Sequence, residues 1–238
     1  MKRIDRKLLV KFRDRLAGVG VRTRFFHPQH LMGKQLLTFM EDHLPREQNL
    51  SLLDIGCGTK PYRHLRNYAK WYGVDVFDGP EVDEVISNTS NISLATWEFD
   101  VAICTQVLEH VDEPLLFISE VLGNLKAGTL LLINTPFIYP IHGEPFDFHR
   151  FTPYLYTKIF SDHEVIEIGQ IGGVGSSIAT LINNWINRDL PHRTFIRIAS
   201  FPILSVFYAV TNVFALLIDR LDRTKAFPTN IYAVVRIR

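Results

Sequence analysis

Cysteine is scarce in this chain: Cys57 and Cys104 are the only two among 238 residues. Two scattered thiols exclude a disulfide framework and a zinc cluster, and a reducing, intracellular setting is the expectation. Charge of one sign is also lacking, since the formal net is +1. No secretory leader is predicted, because Leu8-Leu9-Val10 is interrupted by Lys11 and Arg13 before an apolar stretch develops. The sequons Asn88-Thr89-Ser90 and Asn91-Ile92-Ser93 then mark only a polar loop. Internal repeats and low-complexity stretches are missing as well.

What is present is 47% apolar and 21% charged residues. That excludes a disordered or fibrous chain and suits one well-packed domain. The charge is unevenly placed. Residues 1–24 carry a net +7 and the remainder a net −6, so a basic arm precedes a mildly acidic body. Ile4, Leu8, Phe12, Leu16 and Val19 predict one apolar stripe on a helix over 3–19. A second helix is expected over about 29–43, before Pro45.

From Leu50 onward short apolar runs alternate with helical stretches. Strands are expected at Leu50–Asp54, Trp71–Val76, Phe99–Thr105, Thr129–Asn134, Val165–Ile168 and Ile231–Ile237. Helices are expected to open at Pro61 and Pro114. The alternation predicts an α/β fold, a Rossmann-like and mostly parallel sheet covered by helices on both faces. Residues just after the strands then matter most for ligands.

The first strand runs into Asp54-Ile55-Gly56-Cys57-Gly58-Thr59. Two glycines one residue apart allow a tight turn and close approach of a ligand to the backbone. The third glycine of a dinucleotide motif would fall on Pro61, and no Walker lysine follows, so a pyrophosphate cradle is disfavoured. Asp75 lies 21 residues beyond Asp54, at the tip of the second strand, placed to accept from two ribose hydroxyls. Together these features suit a nucleoside without phosphates.

Leu52–Gly58, Gly73-Val74-Asp75, Phe99–Cys104 with Val107-Leu108-Glu109-His110-Val111, and Leu125–Leu130 resemble class I S-adenosylmethionine-dependent methyltransferases. The likeness covers about residues 50–170 and the final strand. It implies a seven-stranded sheet, with Asp54, Gly56, Cys57 and Gly58 holding the methionine and ribose sides of S-adenosylmethionine. By the same likeness Asp75 binds the ribose hydroxyls, Asn88 the adenine amino group, and Gln106 lines the methionine end. The chain departs from the family over 87–92, where an acid and an apolar residue are usual.

Residues 134–152, leaving the fifth strand, are rich in His, Asp, Glu and aromatic residues. His142, Asp147, Arg150 and Thr152 fall on a signature similar to a methyltransferase branch associated with polysaccharide and glycolipid assembly. Methylating a hydroxyl requires a proton acceptor, for which His142, Asp147 and His149 are the catalytic candidates. Arg150, Thr152, Glu109 and His110 are candidates for holding the acceptor. Glu109-His110 reads either as an acid–base pair or as a structural cap. No His/Asp spacing has the regularity of a metal-ligand set.

Ile198–Ile218 is an uncharged run of 21 residues between Arg197 and Asp219, long enough to span a bilayer. A return strand at Ile231–Ile237 argues against a single crossing, and Pro202 is expected to break the run. Ser205, Tyr208, Asn212, Ala215 and Asp219 share a narrow helical stripe, ringed by Ile203, Val206, Phe207, Val210, Phe214 and Leu217. That shape suits a membrane interface, with a second copy of the chain, as a homodimer, or a core contact as alternatives. The organisation expected is an arm at 1–28, a catalytic domain at 29–175 and 227–238, and an apolar insertion at 176–226. The expected activity is O-methylation of a sugar or lipid-linked glycan at the cytoplasmic face of the membrane, with no nucleic acid partner. A quinone-like or other apolar acceptor, and a non-catalytic binding module, are the alternatives.

Overall fold

The computed structural model describes residues 18–19, 22–86, 98–189 and 194–238. The basic helix expected over 3–19 lies outside the described residues, apart from Gly18–Val19, which pairs antiparallel with Arg22–Thr23. The chain falls into two compact units. One takes 40–137, 141–171 and 230–238; the other takes the described residues up to Phe39, 138–140 and 172–229. Helix α1 (His30–His43) runs across the first boundary. This division starts the catalytic unit at Met40, later than the sequence boundary at 29.

The first unit is built on one seven-stranded sheet. Its strands are β1 (Ser51–Ile55), β2 (Lys70–Asp75), β3 (Glu84–Val85), β4 (Val101–Thr105), β5 (Leu130–Pro136), β6 (Glu164–Ile171) and β7 (Asn230–Arg236). They lie in the order β3-β2-β1-β4-β5-β7-β6. The pairings from β3 through β5 are parallel. Strand β7 enters between β5 and β6 antiparallel to both. The expected Rossmann-like sheet of seven strands is therefore what forms.

Central strands covered on both faces read as continuous apolar runs rather than alternating ones. Leu130-Leu131-Leu132-Ile133 in β5 is such a run, and all seven residues of that strand are buried. Helix α2 (Pro114–Asn124) begins at a proline, whose missing N–H costs nothing in the first turn. It buries Pro114, Phe117, Ile118 and Val121, spaced as one helical face. Helix α3 (Pro153–Ile159) starts the same way. The helix expected at Pro61 does not form. Lys60 takes φ +47°, and only a 3₁₀ turn at Arg63–Leu65 follows.

The second unit centres on helices α4 (Val174–Asp189) and α5 (Thr194–Leu221). Pro202 does not end α5, which runs through it. A proline deletes a single backbone donor, and the turns on either side keep theirs. The packed face of this pair is polar. Asn183 and Asn212 are both fully buried. Thr211 Oγ1 donates to Asn183 Oδ1 at 2.9 Å, and Asn212 Nδ2 donates to the Phe25 carbonyl at 2.7 Å. The Ser176 N–H donates to Asp219 Oδ1 at 3.0 Å, and its hydroxyl donates to the other oxygen of the same carboxylate. A side chain at Gly175 would meet the Ala215 carbonyl oxygen at 2.3 Å, so only glycine permits this approach of the two helices. The predicted stripe from Ser205 to Asp219 is thus the inner seam of the pair. Ile203, Val206, Val210, Phe214 and Leu217 on α5, and Ile178, Leu181, Ile182 and Trp185 on α4, are exposed.

Candidate active site

A cavity of about 330 Å³ opens at the carboxyl ends of β1, β2 and β4, where ligands of open α/β sheets lie. Gly56, at φ +68°, begins the turn after β1. An added Cβ there would sit 2.3 Å from Val107 Cγ2. Gly58, at φ +49°, faces open space, and its N–H donates to Asp75 Oδ2 at 2.9 Å. The Phe77 N–H donates to Asp75 Oδ1 at 3.1 Å. The Asp75 carboxylate is thereby fixed at the cavity wall with acceptor capacity remaining on both oxygens.

Asp54 is placed differently from the expectation. It is buried behind the loop and does not line the cavity. Trp71 Nε1 donates to its Oδ2 at 3.0 Å. Burial pushes its carboxyl up to about 7, against the Trp71 hydrogen bond and the Lys60 charge. Its side chain ties β1 to β2 through Trp71. Cys57 is also buried, and burial first of all pushes its thiol up to about 11, which leaves it a packing residue rather than a nucleophile. It packs, with the buried Lys60, over Gly73, where a Cβ would lie 2.6 Å from the Cys57 sulfur. Lys60 pairs with Asp83 at 2.5 Å.

Gln106 follows β4 in a left-handed conformation, at φ +57°. Its Nε2 donates to Asn134 Oδ1 at 2.6 Å and to Asn230 Oδ1 at 3.0 Å, so the side chain is anchored to β5 and β7 while lining the cavity. Apolar walls come from Phe77, Ile86, Val107, Phe117 and Phe146. Apart from Val107, quoted within a motif, none of these was singled out from sequence, because apolar wall residues look like core residues. Asn88 lies outside the described residues.

At the far rim a 3₁₀ turn, Leu108–His110, meets the loop leaving β5. The Glu109 carbonyl accepts from the N–H groups of Phe148 and His149, at 2.8 and 3.3 Å. The Glu109 side chain is fully buried, and neither carboxylate oxygen has a hydrogen bond. His110 Nε2 is 3.7 Å and His142 Nε2 is 3.8 Å from Glu109 Oε1. Gly143, at φ +65°, lies against the His110 ring, where a Cβ would come within 2.8 Å.

Asp147 accepts a bidentate pair from Arg150, at 2.6 and 2.9 Å, and the His142 N–H at 3.0 Å. Those Arg150 hydrogen bonds hold its carboxyl well below the usual carboxylate range. Such a group orients His142 and is a poor proton acceptor. Arg150, expected to touch the acceptor, is committed to Asp147. His149 Nε2 faces the Asp112 carbonyl at 3.1 Å, which turns it away from the Glu109 carboxylate. Thr152 caps α3, its Oγ1 accepting the Leu155 N–H at 3.2 Å. That role was legible in Thr152-Pro153, a capping residue followed by a first-turn proline. Of the acceptor-side candidates, the structure brings together Glu109, His110 and His142, with Asp147 behind.

The cavity fits S-adenosylmethionine. A ribose acceptor, a glycine turn open to a ligand and apolar walls for a flat ring meet around a space of the right size. Comparison with known proteins agrees. A methyltransferase-domain family model matches residues 26–174, more than half of the chain. The chain is 24% identical over 157 residues to a ubiquinone biosynthesis O-methyltransferase of Actinobacillus pleuropneumoniae serotype 5b (strain L20), covering 57% of this chain and 66% of that protein, just under two thirds. Among solved structures, phosphoethanolamine N-methyltransferase 2 of Haemonchus contortus in complex with S-adenosyl-L-methionine shares the fold. The TM-score is 0.55 at 16% identity, over 100% of this chain and 61% of that one. The [4+2]-cyclase SpnF has the same TM-score of 0.55 at 16% identity, over 86% of this chain and 81% of that one. The chain belongs to the methyltransferase-domain family and has the fold of S-adenosylmethionine-dependent methyltransferases.

Proposed function

We propose that this methyltransferase acts on a hydroxyl of a lipid-carried acceptor, a molecule with an apolar body and an oxygen-bearing head, at the cytoplasmic face of a membrane. The observation that carries the reading is the Glu109–His110–His142 cluster at the rim of the cavity. When bound, S-adenosylmethionine supplies an electrophilic methyl group. Asp75 and the glycine turn hold the nucleoside, and Gln106 marks the methionine end. His110 and His142 meet the acceptor hydroxyl, and His142, with Asp147 at its Nδ1 side at 3.3 Å, presents Nε2 to take the proton. Phe146, exposed beside the rim, offers an apolar surface to the acceptor body.

The membrane component rests on the second unit. Ala199–Leu221 is the one described helix long and apolar enough to cross a bilayer, with a mean hydropathy of 2.1, and only 17% of that window is buried. Thr211 and Asp219 on its inner side bond to α4 and its apolar face is open. Asn187, Arg188 and Asp189 end α4 with polar groups, which favours lying in the interface over spanning. The basic residues of 1–24 would add attraction to anionic head groups. The name of the curated relative supports a quinone-like head, while the sequence signature around His142 and Asp147 supports a glycolipid. Both present a hydroxyl on a lipid.

The test is transfer of radiolabelled methyl from S-adenosylmethionine into membranes of the native host, followed by organic extraction. Label in the organic phase is expected. Acid hydrolysis then separates a labelled sugar from a labelled apolar ring. Cofactor binding with no label in any membrane fraction would overturn the reading in favour of a non-catalytic binding module.

A further inference from the structure

Resting on the acceptor reading above, we infer that Glu109, His110 and His142 form a binding site for a first-row divalent transition metal. One ligand atom from each lies within 4.8 Å of the others. Three observations converge on it. The first is Glu109, a carboxylate with no solvent exposure and no hydrogen bond to either oxygen. An ionised carboxylate buried that way is costly unless a cation or proton meets it.

The second is how the imidazoles are held. His110 Nδ1 is 2.6 Å from the Phe146 carbonyl. A carbonyl only accepts, so Nδ1 carries the hydrogen and the neutral ring is left with its lone pair on Nε2. His142 Nδ1 is 3.3 Å from Asp147 Oδ2, in a carboxylate already paired with Arg150. The two atoms are not hydrogen-bonded, but a carboxylate beside Nδ1 favours the tautomer with the hydrogen there and the lone pair on Nε2. Both Nε2 atoms thus turn lone pairs toward the Glu109 carboxylate. Imidazoles whose other nitrogen is fixed by a carbonyl or a carboxylate are the usual arrangement around protein-bound metals.

The third is spacing. The two Nε2-to-Oε1 separations, 3.7 and 3.8 Å, are too long for hydrogen bonds. They are close to the roughly 3.4 Å between neighbouring ligands of a tetrahedral ion with bonds of about 2.1 Å. Two imidazoles and one carboxylate select a borderline cation such as Zn²⁺, Co²⁺ or Fe²⁺ over Mg²⁺ or Ca²⁺, which prefer all-oxygen shells. Three protein ligands leave coordination positions open, as catalytic rather than structural sites do. A hydroxyl entering there from the cavity side would be acidified. With His142 Nε2 engaged as a ligand, the metal-loaded site does not use it as the proton acceptor: the O–H bond breaks with the proton passing to bulk water, and the electron pair stays on the oxygen that receives the methyl group.

Sequence spacing concealed this set, because Glu109 and His110 are adjacent and His142 comes from a different loop. The test uses the purified full chain, stripped with chelator and titrated with Co²⁺ and Zn²⁺. Expected are one equivalent of metal retained after dialysis and a visible Co²⁺ absorption band of low coordination number. Glu109→Gln and His142→Ala each weaken Co²⁺ affinity at least tenfold, with S-adenosylhomocysteine affinity within twofold of the parent as the check on folding. Wild-type protein that binds S-adenosylhomocysteine but retains no metal overturns the site while leaving the methyltransferase reading intact. So does metal binding that both substitutions leave unchanged. Should either variant fail to fold, His110→Gln is read by the same Co²⁺ spectrum, and an unaltered band there also overturns the site.

Discussion

The two units of this chain bury opposite chemistries. In the sheet unit the interior is Leu53, Ile103, Leu131, Ile133 and their neighbours, all without solvent exposure. In the helical unit the buried positions include Asn183, Asn212, Ser176 and Thr180, while Val206, Phe214 and Leu217 face outward. A water-soluble helix pair reverses that arrangement, because exposed apolar area costs free energy in proportion to its extent. The contrast teaches that the sheet unit draws its apolar residues inward, whereas the helical pair packs through a polar seam and leaves an apolar face open.

The contrast can be broken or sharpened by substitution. The largest effect is expected in the sheet core. Leu53→Ala should cost about 2–5 kcal/mol of unfolding free energy, whereas Val206→Ala on the exposed face of α5 should stay within about 0.5 kcal/mol. Denaturant titration of both variants checks this, and equal costs would erase the distinction. Next, Val210→Glu combined with Phe214→Glu should lower partitioning onto anionic vesicles by roughly tenfold or more, measured by co-sedimentation, with cofactor affinity unchanged. Unaltered partitioning would mean that the exposed face is not a lipid contact. Third, Asn212→Ala should destabilise the helical pair by about 1–3 kcal/mol, since it strands the Phe25 carbonyl and the Asn183 amide. A neutral outcome in thermal unfolding would show that the seam is not what holds the helices.

The smallest effect concerns Asp54, whose carboxyl is raised, in the sheet unit. Because Asp54 is held at about 7 in the folded chain, the folded state binds its proton more tightly than the unfolded state does. The stability this provides is complete below the ordinary carboxylate range and is lost as pH rises through about 7. Between pH 6 and pH 8 the cofactor-free protein should lose about 1 kcal/mol. Asp54→Asn should flatten that slope in pH-dependent unfolding, and an unchanged slope would reject the assignment.

Much of the sheet was legible beforehand, because strand periodicity and the glycine turn are local signals. The strand positions, the order of motifs and Asp75 at its strand tip follow from residues close together in sequence. What was not legible depends on partners distant in the chain. Asp54 carries the motif position yet is buried under Trp71, which no spacing rule indicates. Arg150 is bonded to Asp147 and His149 Nε2 faces the Asp112 carbonyl, so neither hydrogen-bonds the Glu109 carboxylate. The polar stripe of α5 was read correctly as a stripe, but which side faced inward depended on the asparagines and serines of α4. Pro202 misled because one lost donor was weighed as a helix end.

Strand β7 follows the helical pair in the chain yet fills the gap between β5 and β6. During synthesis, α4 and α5 therefore emerge while that gap is still open. Until β7 arrives, β5 lacks a neighbour on one side, and unpaired strand edges are templates for aggregation. Closure of the sheet therefore waits until residues 230–236 have been made, after the helical pair.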